Sequence, residues 1–441
     1  MRAMWQRAWR SPLHTKILVA MVLGALGGTI SQAALPEGPK NEGLKWFNDN
    51  VSQNVGALFM TMIFMVVVPL LFSALVTGIS EVGSAARVGK IGLRALALTV
   101  VLSSIAVGIG LAAVNAVRPG DGIDAAKREA LTGGIDREGA LAKAKPPEDG
   151  ADPPLLGVVP KNPLLEAVRA LSGGLLPFMF FAIVFGLALS AIEPEDALPV
   201  LRFLGGLFQV SVKMIEFAMR LAPLGVFFLV FRTASVLGPE AFVALGKYTA
   251  LVIGALALHF FVVYPLALRF VAKRDPWQFF RQLRTVIVTA FATSSSNATL
   301  PVALRASEEE AGIPRRIGSF VLTVGATANQ NGTALFEGIT ILFLAQFYGV
   351  RLDAGQQAGV MLLAIVAGIG TAGVPGGAWP MIAAILVRLG IPPEAIGLVL
   401  GIDRILDMSR TVLNVVGDVT IAACVATMEG EGPTAPEAAL G

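Results

Sequence analysis

Residues 403–418 read DRILDMSRTVLNVVGD, three aspartates and two arginines between GLVLGI and VTIAACVAT, two runs with the composition of a membrane interior. On a helix turning about 100° per residue, Asp403, Asp407, Arg410, Thr411, Asn414 and Asp418 fall within one sector of about 100°, with Arg404 at its edge. Each ionised group at the centre of a membrane helix costs roughly 2.5–3.5 kcal/mol. Four of them come to about 10 kcal/mol, comparable with the whole stability of an ordinary domain, about 5–15 kcal/mol. Asp407 and Arg410 stand at i, i+3 and can neutralise one another, but Asp418, two turns on, has no basic partner on this helix. The stripe must therefore face ions, a wet cavity or a charged guest. A guanidinium forks onto a carboxylate, and a carboxylate suits an ammonium or a metal cation.

A second polar patch, ATANQNGTALFEG (326–338), carries Thr327, Asn329, Gln330, Asn331, Thr333 and Glu337. Its Asn331-Gly332 pair predicts local unwinding, which frees carbonyl oxygens for a small cation. A third, TSSSNATLP (293–301), offers serine hydroxyls and freed amides that suit a carboxylate at the start of a half-helix. A nucleophilic serine there lacks a histidine or lysine base nearby. The glycines of GTAGVPGGA lack the Gly-Lys-Ser/Thr of a phosphate-binding loop.

The elements that must hold these patches follow from composition. The chain has 441 residues, 55% hydrophobic and only 15% charged, against about 25% charged in soluble domains. This is the composition of an integral membrane protein, and continuous apolar runs rather than alternating ones predict helices, not a barrel. A net charge of +3 without basic clusters gives no footing for nucleic acid. His14, His259 and the single Cys424 are too few for a zinc site, a disulfide or a histidine-based triad.

Apolar segments lie near 15–35, 50–80, 92–117, 165–192, 200–236, 240–272, 313–349 and 391–428. The first reads either as a secretory signal or as a retained helix, and retention is the expectation. Two further segments, 277–305 and 354–388, are broken by TSSSNATLP and by GIGTAGVPGGAWP. Basic residues gather at the N-terminus, after the second helix (Arg87, Lys90, Arg94), after the sixth (Arg269, Lys273, Arg274, Arg281, Arg284) and beyond the first broken segment (Arg315, Arg316). If each intact segment crosses once, these places share one side, the cytoplasmic one. The first broken segment then enters and returns, and the second dips in from outside. The acidic connection after the fourth helix fits this rule less well. The polar stretch 118–160 reads as an extracellular loop. Inverted halves with interrupted helices near the midplane point to a secondary transporter.

Together, TSSSNATLP, GATANQNGTAL, GIGTAGVPGG and DRILDMSRTVLNVVGD resemble the dicarboxylate/amino acid:cation symporter family, which includes the glutamate transporters; the likeness covers about 45–428. The resemblance implies an all-α membrane protein with eight transmembrane helices and two re-entrant hairpins in inverted repeats. It implies a homotrimer working like an elevator, in the inner (plasma) membrane with both termini cytoplasmic. Residues 1–87 and 165–237 would form a scaffold and 88–117 and 238–430 a mobile transport domain, with a loop at 118–164 and a tail at 431–441. Carried over, Arg410 would grip a side-chain carboxylate and Asp407 an amino group. Asn414 with Ser295 and Ser296 would hold the α-carboxylate, and Thr333, Thr411 and Val374 would complete the pocket. Gly325, Asn329, Asn414 and Asp418 match one sodium site, and Thr327, Ile369 and Thr371 would supply a second.

Three positions depart from the family pattern. Gln330 replaces a methionine, Asn331 an aspartate and Leu102 a threonine, although Ser103 remains. Fewer coupled sodium ions are therefore expected, and Glu337 marks a position linked to proton co-transport. The expectation is a symporter of aspartate or glutamate coupled to sodium and optionally to protons. The alternatives are C4-dicarboxylate uptake and a non-coupled ligand-binding or anion-conducting membrane protein.

Overall fold

The computed structural model describes residues 13–35, 41–87, 89–122, 159–169, 175–238, 240–370 and 376–431. Among these, every regular element is helical. Six helices are long and apolar enough to cross a membrane: Thr15–Ala34, Glu42–Ser80, Lys90–Val117, Pro194–Leu237, Glu240–Phe270 and Asp403–Met428. Of the two other expected crossings, one is the shorter helix Leu175–Ala191, apolar on every face. The other is a helix in two pieces, Arg315–Ala328 and Asn331–Phe347. Pro194–Leu237 has 44 residues, about 66 Å at 1.5 Å per residue. That is twice the roughly 30 Å of hydrocarbon, so this helix crosses obliquely or extends beyond the bilayer.

Small residues let the first helix lie against this long one. A side chain at Gly28 of Leu13–Ala34 would strike the Phe231 carbonyl and Ala234, and Gly24, one turn earlier, meets the Phe227 backbone in the same way. Close backbone approach at such positions drives helix association in lipid, where burial against water offers nothing. Asn48 ties the second span to the same helix, its Nδ2 donating to Ser235 Oγ at 2.9 Å.

The first broken segment is re-entrant in space as well as in sequence. It runs through Pro276–Gln282, Arg284–Thr293 and Ser296–Glu309. The Arg274 guanidinium, just before it, donates to the carbonyls of Ala311 and Gly312, just after it. The chain thus leaves and returns to one place. Thr427 at the end of the last helix reaches the Ala272 carbonyl at 2.9 Å. Arg94 pairs with Glu429 at 2.8 Å, and Arg316 pairs with Glu431. The basic connections after the second helix, after the sixth and beyond the first hairpin therefore gather at one pole. Residues of the opposite pole are joined by Gln346 to the Val114 carbonyl and by Asn115 to Gln357. The second hairpin begins at that opposite pole, as Ala354–Gly370, and continues as Trp379–Arg388.

Two boundaries differ from the sequence-based expectation. The final span is not one helix over 391–428: Ile396–Leu400 ends at Gly401, and a new helix starts at Asp403. An acid in the first turn is favoured there by the helix dipole, so Asp403 marks the start of the charged helix rather than its interior. The second boundary is the break in the two-piece helix, which lies at the centre of the polar site.

Candidate functional site

Arg410 is the hub. It is 2% exposed, and its Nη2 and Nε lie 2.8 and 2.9 Å from Asp407 Oδ1. Its Nη1 stands 3.5 Å from Asp403 Oδ1, beyond a good hydrogen bond. Those two atoms are both buried and both lack a hydrogen-bond partner among the described residues. The guanidinium carbon sits 4.2 Å above the Phe336 ring, a cation–π contact across to the two-piece helix. Arg410 is thus held by its own neighbours, with one face of its fork loosely satisfied. The internal pairing anticipated for Asp407 and Arg410 is present, and it leaves Asp418 outside the cluster.

Between Arg315–Ala328 and Asn331–Phe347, Asn329 and Gln330 leave the helical conformation, with ψ of 79° and 56°. The unwinding therefore falls just before the Asn331-Gly332 pair at which it was expected. The reason is a cap supplied by another helix. Asn414 Oδ1 accepts from the backbone N–H of Gly332 at 2.7 Å and of Thr333 at 3.4 Å, satisfying donors that a helix start leaves orphaned. The helix can therefore restart at Asn331. Asn414 Nδ2 donates to Gln330 Oε1 at 2.5 Å and Thr333 Oγ1 at 3.0 Å. To grip a carboxylate, Asn414 must release one of these. Thr411 Oγ1 donates back to the Asp407 carbonyl at 2.8 Å, which leaves its lone pairs for another donor.

A separate group forms around Asp418, 3% exposed. Asn329 Nδ2 donates to Asp418 Oδ1 at 2.7 Å, and Asn329 Oδ1 is buried without a hydrogen-bond partner among the described residues. A Cβ at Gly325 would strike the Asp418 carboxylate, so only glycine permits this approach. Gly325, Asn329 and Asp418 also border a narrow cleft whose other walls include Gly92, Thr99 and Phe320. A carboxylate, an orphaned amide oxygen and backbone carbonyls suit a hard cation. Asn414 lies one turn before Asp418, and Thr327 lies on the same helix as Gly325, its hydroxyl bonded to the Val324 carbonyl at 3.0 Å.

Around Asn331, which departs from the family pattern, the structure shows a neutral network. Ser103 Oγ donates to Asn331 Oδ1 at 2.5 Å, and Asn331 Nδ2 reaches Tyr264 Oη at 3.4 Å. Tyr264 in turn donates to the Leu413 carbonyl at 2.8 Å. Leu102 beside Ser103 is buried and contributes no oxygen. Glu337 lies fully buried on Asn331–Phe347.

In the first hairpin, Ser294 adopts a left-handed φ of 52°, a tight reversal between the arms. Ser295 caps the second arm, its Oγ accepting from Ala298 N at 3.2 Å, and Ser296 is that arm's first residue and buried. Both arms pack against the last helix, and Arg404 reaches the Ala292 carbonyl at 3.4 Å. In the second hairpin, Ile369 lies in the last turn of Ala354–Gly370, while Thr371 and Val374 lie outside the described residues. Trp379, which sequence spacing did not connect to the site, donates from its indole to Asp403 Oδ2 at 2.9 Å.

A model described as the sodium:dicarboxylate symporter family matches residues 13–428. A proton/sodium-glutamate symport protein of Bacillus subtilis (strain 168) is 33% identical over 420 residues, 95% of this chain and 93% of the relative. A proton/glutamate-aspartate symporter of Escherichia coli (strain K12) is 32% identical over 418 residues, 95% and 93% of the two chains. A C4-dicarboxylate transport protein of Anaeromyxobacter sp. (strain K) is 30% identical over 422 residues, 95% and 90%.

The Gly325 contact gives a direct test. Gly325→Ala pushes the Asp418 carboxylate off Asn329 and lowers the apparent affinity for the activating cation about tenfold or more, the scale of a lost charged hydrogen bond. Uptake measured as a function of cation concentration reports it, and unchanged cation dependence removes Gly325 from the site.

Proposed function

This chain belongs to the sodium:dicarboxylate symporter family, and we propose that it takes up aspartate or glutamate in symport with sodium, with Glu337 as the group through which protons couple. It is a secondary transporter, a multi-pass membrane protein and not an enzyme. The observation that carries the choice of substrate is the placement of a half-satisfied guanidinium, Arg410, beside a buried carboxylate, Asp407. One guanidinium faces two carboxylates, Asp403 and Asp407, within 3.5 Å. An amino acid with an acidic side chain fits this arrangement group by group: its side-chain carboxylate takes the loosely satisfied side of Arg410, and its ammonium takes Asp407 as that acid is released. Ser295, Ser296 and Asn414 then hold the α-carboxylate, with Thr333, Thr411 and Val374 around it.

A C4-dicarboxylate, the cargo named for the Anaeromyxobacter relative, brings two negative charges and no ammonium for Asp407. It is the second reading, and it requires Asp407 to stay on Arg410 throughout transport.

For the cation, Gly325, Asn329, Asn414 and Asp418 form the first sodium site in this reading, and Thr327, Ile369 and Thr371 contribute backbone oxygens to a second. The Ser103–Asn331–Tyr264 network supports the absence of a third: every polar atom of Asn331 is answered by a neutral group, so no ion is needed there. The chain works as an elevator in a homotrimer, with 1–87 and 165–237 as scaffold and 88–117 and 238–430 as the moving unit. The basic pole faces the cytoplasm, which puts both termini there.

Uptake of labelled aspartate into proteoliposomes under imposed sodium and proton gradients tests this reading. Accumulation follows the sodium gradient, and unlabelled aspartate and glutamate compete better than succinate; accumulation indifferent to both gradients rejects symport. Arg410→Cys abolishes acidic uptake, a loss of more than about a hundredfold for a buried charged pair, and opens the site to neutral amino acids. Asn331→Asp restores a buried carboxylate that needs a counter-ion, so sodium dependence becomes steeper by one ion; an unaltered Hill slope would show that this position plays no part in ion counting.

A further inference from the structure

Resting on the reading of Arg410 as the substrate's anchor, we infer that Trp379 is a positioning residue that sets the affinity for the acidic side chain. Four side chains from three elements close a ring. Trp379, at the start of the returning arm of the second hairpin, donates its indole N–H to Asp403 Oδ2 at 2.9 Å. Asp403 Oδ1 faces Arg410 Nη1 at 3.5 Å. Arg410 lies over the Phe336 ring at 4.2 Å. Phe336 meets Trp379 edge to face, the ring centroids 5.7 Å apart at 83°. All four are buried, Trp379 to 1% exposure.

The ring has one weak link, and it is the gap between Asp403 and Arg410. An unhindered carboxylate beside a buried guanidinium closes to about 2.8 Å. Here Asp403 is held back by a second donor pulling on its other oxygen, and that donor belongs to Trp379. The indole therefore keeps Nη1 open for the substrate's carboxylate while preserving a counter-charge for the guanidinium. Phenylalanine at 379 would keep the contact with Phe336 and lose the N–H. Asp403 would then close onto Arg410 and compete with the substrate for it.

The test is binding and transport by the full chain with labelled aspartate, in wild type, Trp379→Phe, Asp403→Asn and the double variant. Trp379→Phe weakens aspartate binding about tenfold or more, the scale of a hydrogen bond to a charged group, with little change in maximal rate, and narrows the preference for aspartate over asparagine. Asp403→Asn in the Trp379→Phe background restores affinity to within about threefold of wild type, because the competitor has lost its charge. A purely packing role for Trp379 gives the same loss in both backgrounds and leaves the aspartate-to-asparagine ratio fixed; either result overturns the inference. If wild type itself binds no aspartate, it is the assignment of the substrate that fails.

Discussion

The structure is organised around a guanidinium that water does not reach. Taking a charge into the membrane interior costs several kcal/mol per ion, and carboxylate partners repay this only with close geometry and full hydrogen bonding. Arg410 meets that condition on the side of Asp407 and falls short of it on the side of Asp403. The imperfection is informative. A seam evolved only to hold helices together would satisfy both sides or use apolar side chains instead. Here a buried donor and a buried acceptor face each other without bonding. Such a site is stable enough to fold and unsatisfied enough to accept a charged guest.

The same helix carries the second half of the machinery. Asn414 sits between Arg410 and Asp418, and its amide caps the restart of the two-piece helix while bonding Gln330 and Thr333. The non-helical Asn329 and Gln330 are tolerated at membrane depth because they are buried in protein. In the proposed reading, substrate groups and cation ligands thus meet at one side chain. A carboxylate that recruits the Asn414 amide frees Gln330 and disturbs the cap, so the organic and ionic sites share a structural element and need no long path between them.

Much of this was legible in the sequence. The 3.6-residue period placed Asp403, Asp407, Arg410, Asn414 and Asp418 on one face, and all five are buried. Glycine, proline and serine marked the hairpins, and the basic connections after the second helix, after the sixth and beyond the first hairpin gather at one pole. Family resemblance named the symporter, and the comparisons bear that out. What stayed hidden was decided by contacts between elements. Unwinding near the Asn331-Gly332 pair was expected, but its start at Asn329 and Gln330 depends on a cap from Asn414, more than 80 residues away. Trp379 looks like an ordinary apolar residue after a glycine turn, and nothing in its spacing announces an indole pointed at Asp403. The start of the last helix at Asp403 was masked by the apolar run that precedes it. The neutral Ser103–Asn331–Tyr264 network joins three helices and has no local signature.

The central claim is that Arg410 exchanges a partner on its own helix for one on the solute. A structure of the protein in lipid, determined with sodium and aspartate, tests it most directly. The account predicts the solute's side-chain carboxylate forked onto Arg410, its ammonium on Asp407, and the Asp407–Arg410 contact opened beyond salt-bridge distance. An intact Asp403–Arg410–Asp407 cluster with the amino acid bound elsewhere would contradict it.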